Sequence, residues 1–230
     1  MHYISVIMVV CMMNIMDVDS GTKPFQLKNG DLLFQDLDCG ELCEAIEKVT
    51  YGYKNANLSH VGIVYIDESN NEWVIEAISE SVSKTPIDTF LNRSLDEHGH
   101  PKVIAGRVRK AFEPIVDSAV AEAMEYIGKP YDHQYGIMNQ AVYCSELIYK
   151  SFFVAYNYHP FFELKPMTFI DPETENIFPA WKNYFSELNI PVPEGKPGID
   201  PGAISRSNNI KIVHAYGIPS GWRSNVLEKQ

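Results

Sequence analysis

The chain has 230 residues, enough for a sizeable core, and its 45% hydrophobic and 21% charged residues leave no ground for a disordered or fibrous protein. Its formal net charge is -11 and no run of Lys or Arg offers a surface for phosphates, so nucleic acid is not an expected partner. Cysteines at 11, 39, 43 and 144 are too few and too unevenly spaced for a disulfide framework.

Tyr3 to Met13 is almost wholly apolar, too short for a comfortable membrane span, and is followed by Asp17, Asp19 and Gly21. It resembles the core of a signal peptide, although no Lys or Arg precedes it and no Ala-x-Ala site follows. The expectation is a signal peptide or N-terminal extension over 1–20 and a single domain over 21–230. It also includes export to the periplasm or cell envelope, with no integral span in the mature chain; a buried N-terminal strand or a misplaced start codon, in a cytoplasmic protein, are the competing readings.

Gly30-Asp31 precedes the apolar run Leu32 to Gln35, a turn leading into a strand. Leu42 to Val49 has helical spacing and ends at Gly52. Cys39 and Cys43, four apart, could meet on a helix turn as a bridge or as two buried thiols; structural thiols are expected, since no second Cys or His pair completes a zinc site. Asp36-x-Asp38-x-Gly40 lacks the ligand spacing and closing Glu of a calcium loop.

His60 to Ile66 and Trp73 to Ile78 read as strands joined by the polar run Asp67 to Asn71, an antiparallel pair. A short helix near Ile87 to Leu91 and a strand at Val103 to Val108 follow. Between them lies the polar loop with His98-Gly99-His100, expected to be solvated and not metal-binding. Ile115 to Ile127 reads as a helix stopped by Gly128-Lys129-Pro130. Tyr143 to Tyr156 reads as another, with Leu147, Ile148, Phe152 and Phe153 on its buried face. Beyond Pro160 only a helix around Ala180 to Leu188 and a strand at Ile210 to His214 stand out, and that third is expected to cap the core or wall a site.

Three residues carry candidate chemistry. Cys144 opens a predicted helix, a place where thiolates are favoured over the free thiol with its pKa of ~8.5. His60 begins an apolar strand that would hold its ring rigidly, as a general base and later acid must be held. Glu76 lies among apolar residues of the neighbouring strand, where a carboxylate is costly unless paired, and could fix the imidazole tautomer. Together they predict a cysteine hydrolase.

Ser59 to Val64, Gly30-Asp31, Gly128-Lys129-Pro130-Tyr131 and Tyr143-Cys144-Ser145-Glu146 resemble the motifs of the NlpC-type papain-like cysteine peptidases in rotated order. The chain is similar to the circularly permuted YiiX/YebB-like hydrolases over roughly Asp31 to Phe153. It departs from the usual pattern in having Tyr before Cys144, Glu after Ser145, and a carboxylate as third member instead of histidine.

The resemblance implies an α+β, circularly permuted papain-like fold, a central antiparallel sheet packed against helices, with the nucleophile at a helix N-terminus. It also implies that Tyr131 sits near Cys144 and, with the Cys144 backbone N–H, binds the oxyanion or substrate carbonyl. Asp132 beside it would satisfy a loop amide or meet a substrate amine. The expected substrate is a small peptide or amino-acid amide, plausibly derived from cell wall, with no metal and no cofactor. A lipid or thioester acyl substrate, favoured by an apolar groove of Phe152, Phe153, Tyr156, Phe161 and Phe162, and a non-catalytic peptide-binding module are the alternatives.

Overall fold

A computed structural model describes residues 25–223 apart from Ser79 and Met138. The apolar segment read as a signal peptide lies outside the described residues. The first strand, β1 (Leu32–Gln35), leads to helix α1 (Glu41–Val49) and then to the hairpin β2 (His60–Ile66) and β3 (Glu72–Ile78). The hairpin turns through Asp67, whose carboxylate accepts hydrogen bonds from the Ser69 and Asn71 backbone and the Trp73 indole. β4 (Ser81–Pro86), α2 (Ile87–Leu91), β5 (Val103–Val108), α3 (Val116–Glu125) and α4 (Cys144–Ala155) follow. The last part holds a two-stranded ribbon, β6 (Lys165–Pro166) with β7 (Pro197–Gly198), around α5 (Pro179–Glu187), then α6 (Pro201–Ser205) and β8 (Ile210–Ala215).

Six strands form one antiparallel sheet in the order β4-β3-β2-β1-β5-β8. Both faces are covered, which is why its strands read as apolar runs and not as alternating ones. Leu32, Phe34, Val61, Ile63, Ile75 and Ala77 point toward α3 and α4, where Ala119, Val120, Leu147, Ile148 and Phe152 complete the main core. The alternate residues Leu33, Val64, Val74 and Val103 pack with Phe90 of α2 on the other side. A third cluster joins Ala45 of α1 to Phe169, Phe178, Trp181 and Phe185 around α5.

The central antiparallel sheet and mixed helices match the α+β expectation. Three local features differ from expectation. Ile115 to Ile127 is shorter as a helix, because Pro114 sits in a preceding 3-10 turn and Tyr126 and Ile127 close a tighter turn before Gly128, whose φ is 84°. β4 was not foreseen: its sequence, Ser-Val-Ser-Lys-Thr-Pro, is polar because it is an edge strand with only Val82 and Thr85 buried. Phe153 is only half-buried, unlike its neighbour Phe152. Of the two states left open for Cys39 and Cys43, the structure has the bridge, a disulfide with Cα atoms 5.4 Å apart that clips the start of α1.

Candidate active site

β2 begins at His60, and the antiparallel register of Ile63 with Ile75 places Gly62 across from Glu76, with His60 two residues along on the same face. A Cβ at Gly62 would lie 2.3 Å from Val74 Cγ1 and 3.3 Å from Glu76 Cβ, so glycine is what lets β3 bring its carboxylate in beside the ring. Glu76 Oε2 accepts a hydrogen bond from His60 Nε2 at 2.5 Å. That contact fixes the tautomer and turns the other ring nitrogen away from the carboxylate.

The remaining acceptors of Glu76 are taken by a residue that no sequence motif marks. Arg93, in the turn after α2, donates from Nη1 to Oε2 at 2.9 Å and from Nη2 to Oε1 at 2.7 Å. Burial alone would push the Glu76 carboxyl up; the Arg93 fork and His60 overcome it and hold the pKa at about 2. Glu76 is therefore an anion with no side-chain exposure, 0%.

Cys144 is the first residue of α4 and 6% exposed. Its first turn is organised by Glu146, whose Oε2 accepts from the Tyr143 backbone N–H at 3.3 Å, and by the Tyr143 hydroxyl, which accepts from the Ile199 N–H at 3.1 Å. The thiol acts on His60. Burial drives the imidazole pKa down, and the Cys144 and Glu76 side chains more than offset this, raising it to about 9. The structure pairs His60 with Glu76 and sets Cys144 at the N-terminus of α4, where its side chain raises the His60 pKa.

Tyr131 lines the same cavity as Cys144, next to Tyr135. Burial, then the neighbouring Tyr135 and Cys144, push its hydroxyl well above the ordinary phenol range, so it stays a proton donor. Tyr135 was missed: it lines the cavity with a left-handed backbone, φ 55°, a conformation rare for a bulky residue and concentrated at functional sites. Asp132 is buried, and its oxygens accept the Gln134 and Gly136 N–H groups at 2.9 and 2.6 Å, the loop-amide role among the two considered.

The rest of the cavity wall comes from Ile46 and Val49 of α1, Met167, Phe169 and Trp181 around α5, and Ile199. The C-terminal third does wall the site. Of the five residues expected to form an apolar groove, Phe152, Phe161 and Phe162 are at most 4% exposed and belong to the core, Phe153 is half-buried, and Tyr156 is exposed. His98 and His100 sit in an exposed loop organised by Asp96, and Asp36 and Asp38 are paired with Lys102 at 3.2 and 2.6 Å. No helix among the described residues is long and apolar enough to cross a membrane.

A sheet end that carries His60 and Glu76 before the helix bearing Cys144 is the rotated arrangement of a papain-like fold, and the chain belongs to the family of permuted papain-like amidases. The model of that family, "Permuted papain-like amidase enzyme, YaeF/YiiX, C92 family", matches residues 26–214.

Among its relatives is the uncharacterized protein YiiX of Escherichia coli (strain K12), 28% identical over 128 residues, which are 55% of this chain and 57% of that protein. The chain therefore matches little more than half the length of that curated relative. The fold is similar to the crystal structure of metalloprotein YiiX from Escherichia coli O157:H7, with a TM-score of 0.68 and 21% identity over 85% of this chain and 100% of that one. Among the described residues here, no group of three or more His, Cys, Asp or Glu side chains could hold a metal ion. The described residues do not fit a metal centre.

Proposed function

We propose that the protein is a cysteine hydrolase with a Cys144–His60–Glu76 triad that cleaves an amide bond in a small peptide or amino-acid conjugate. The observation that carries this reading is the fully buried Glu76 anion bonded to a histidine that also meets the Cys144 thiol. His60 takes the thiol proton, and the Cys144 Sγ attacks the amide carbonyl carbon. The developing oxyanion is met by the Cys144 backbone N–H at the start of α4 and the Tyr131 hydroxyl. The tetrahedral intermediate collapses as the His60 imidazolium gives its proton to the departing amine. Water, deprotonated by His60, then attacks the thioester, the C–S bond breaks, and the His60 imidazolium returns its proton to the Cys144 sulfur as the acid is released. The apolar stretch Tyr3 to Met13 supports export, which makes cell-wall-derived peptides candidate substrates.

A second reading keeps this chemistry and changes the acyl group. The cavity beside Cys144 is lined largely by apolar side chains, Ile46, Val49, Met167, Phe169, Trp181 and Ile199 among them, with Lys165 and Asp200 as its charged members, which favours a substrate with an apolar acyl part, including a lipid or thioester. The buried His60–Glu76 pair, with a histidine pKa raised by the Cys144 side chain, counts against a binding-only module.

The test is intact-mass labelling with iodoacetamide across pH. One fast site, lost in Cys144→Ala and slowed about tenfold or more in His60→Ala, is expected. Labelling indifferent to His60 would overturn the mechanism. Release of acid from amide and from thioester substrates of matched acyl chain then separates the two readings.

A further inference from the structure

We infer that Arg93 is a positioning residue of this site, holding Glu76 ionised and aimed at His60, so that the working unit is a relay of four residues, Cys144, His60, Glu76 and Arg93. This rests on the hydrolase reading and adds to it the group on which the third member depends. The argument begins with solvation. A carboxylate with no exposure has no water to satisfy its four lone-pair directions, and an isolated one would take up a proton. His60 satisfies one oxygen of Glu76; both contacts of the guanidinium fork are needed to reach the other oxygen and to complete the first. Oε1 has Arg93 as its hydrogen-bond partner, so without the fork the carboxyl is free to be protonated there and to rotate away from the imidazole.

The fork is itself held in place. The Arg93 guanidinium lies over the Phe90 ring, 5.3 Å from its centre, and Phe90 is fully buried in α2, 5.9 Å from the His60 ring. The Phe90 carbonyl in turn accepts from Gln35 Nε2 at 2.8 Å, and Gln35 is the cross-strand partner of His60. One helical turn therefore ties the cation to β3 through Glu76 and, through Gln35, to β1, the strand paired with that of His60. Arg93 retains 24% side-chain exposure, which makes it the member of the arrangement that a solute can replace. Lysine would supply the charge without the two parallel donors.

The experiment measures the rate of Cys144 alkylation by iodoacetamide as a function of pH in the full chain, for wild type, Arg93→Ala, Arg93→Lys, Glu76→Gln, and Arg93→Ala combined with Glu76→Gln. No substrate is needed. Arg93→Ala is expected to slow labelling about tenfold or more near neutral pH, with the deficit closing at high pH where the thiol ionises unaided. Methylguanidinium added to Arg93→Ala restores the rate, Arg93→Lys falls between, and the double variant is no slower than Glu76→Gln alone. A fold-maintenance role would instead lower the melting temperature and leave the pH profile of the folded fraction unmoved.

If Arg93→Ala does not fold, the Arg93→Lys profile decides, a wild-type profile overturning the inference. A profile unchanged in Arg93→Ala while Glu76→Gln and His60→Ala slow labelling sinks the Arg93 inference alone. Labelling unaffected by any of these variants sinks the hydrolase reading as well.

Discussion

Two glutamates of this molecule have side chains with no exposure, yet they sit at opposite ends of the titration scale. Glu76, at the sheet end, is held at about 2; Glu146, in the first turn of α4, is pushed up to about 7. Burial is the largest influence on both and raises both. The difference lies in the partners. Glu76 has a bidentate guanidinium and an imidazole. Glu146 has one backbone N–H at 3.3 Å and the Lys150 ammonium, 2.8 Å from Oε1 but off the direction of a hydrogen bond. Two donors locked in a plane outweigh a desolvation that a single flexible ammonium cannot. The carboxylate proposed to work is the fully partnered one, and the one that shapes the helix start is left half-satisfied.

Removing the charge at the fully partnered carboxylate is expected to have the largest effect. Glu76→Gln leaves the His60 tautomer uncontrolled and the Arg93 cation unpaired, so labelling of Cys144 and any amidase rate should fall by about 10²–10⁴-fold. The same change should cost about 3–5 kcal/mol in denaturant unfolding, the usual consequence of breaking one partner out of a buried pair. A variant as reactive as wild type would show that the contact with His60 is structural only.

A smaller effect is expected from moving Glu76 without changing it. Gly62→Ala places a methyl 2.3 Å from Val74 Cγ1 and 3.3 Å from Glu76 Cβ, so β3 must shift away from His60. The stability loss should be about 1–3 kcal/mol, as for other overpacked cores. Labelling near neutral pH should slow as well, by less than in Glu76→Gln, because the carboxylate keeps its fork. Lost stability with an untouched labelling profile would mean that the strand yields elsewhere.

The sequence-level reading succeeded where one residue type in one local pattern carries the information. β2 and β3 are apolar runs around a polar turn, and a cysteine followed by helical spacing marks the start of α4; these place His60, Glu76 and Cys144 on defined elements. Arg93 carries no such mark. It lies in a polar loop, and its pairing with Glu76 exists only because α2 turns the chain back across the sheet face. The cavity wall was hidden for a related reason: Phe169 and Trp181 come from a proline-punctuated stretch without periodicity, and their third cluster forms only against α1. β4 shows the limit from the other side, since an edge strand needs few apolar residues and reads as a loop.

The half-satisfied carboxylate supplies the mildest test of the contrast, read in stability against pH. Glu146 has a folded pKa raised from 4.5 to about 7, so the folded chain binds its proton more tightly, and the stability this contributes is full below 4.5 and lost as pH rises through about 7. Glu76 has the opposite sign: its contribution is full above 4.5 and lost as pH falls toward about 2. His60, raised to about 9, contributes fully below 6.5 and loses that contribution as pH rises through 9. Glu47, also raised to about 7, adds to the fall on the Glu146 side. The melting temperature should therefore peak on the acid side of neutrality and decline from there toward pH 9.

Glu146→Gln removes one titration from that decline and should flatten it between pH 5 and 7, by at most roughly 3 kcal/mol, while Glu76→Gln should flatten the acid limb instead. Labelling of Cys144 in Glu146→Gln should stay within about twofold of wild type, since the amide keeps an oxygen for the Tyr143 N–H and touches neither the imidazole nor its carboxylate. A tenfold loss there would move Glu146 from the framework of α4 into the proton relay.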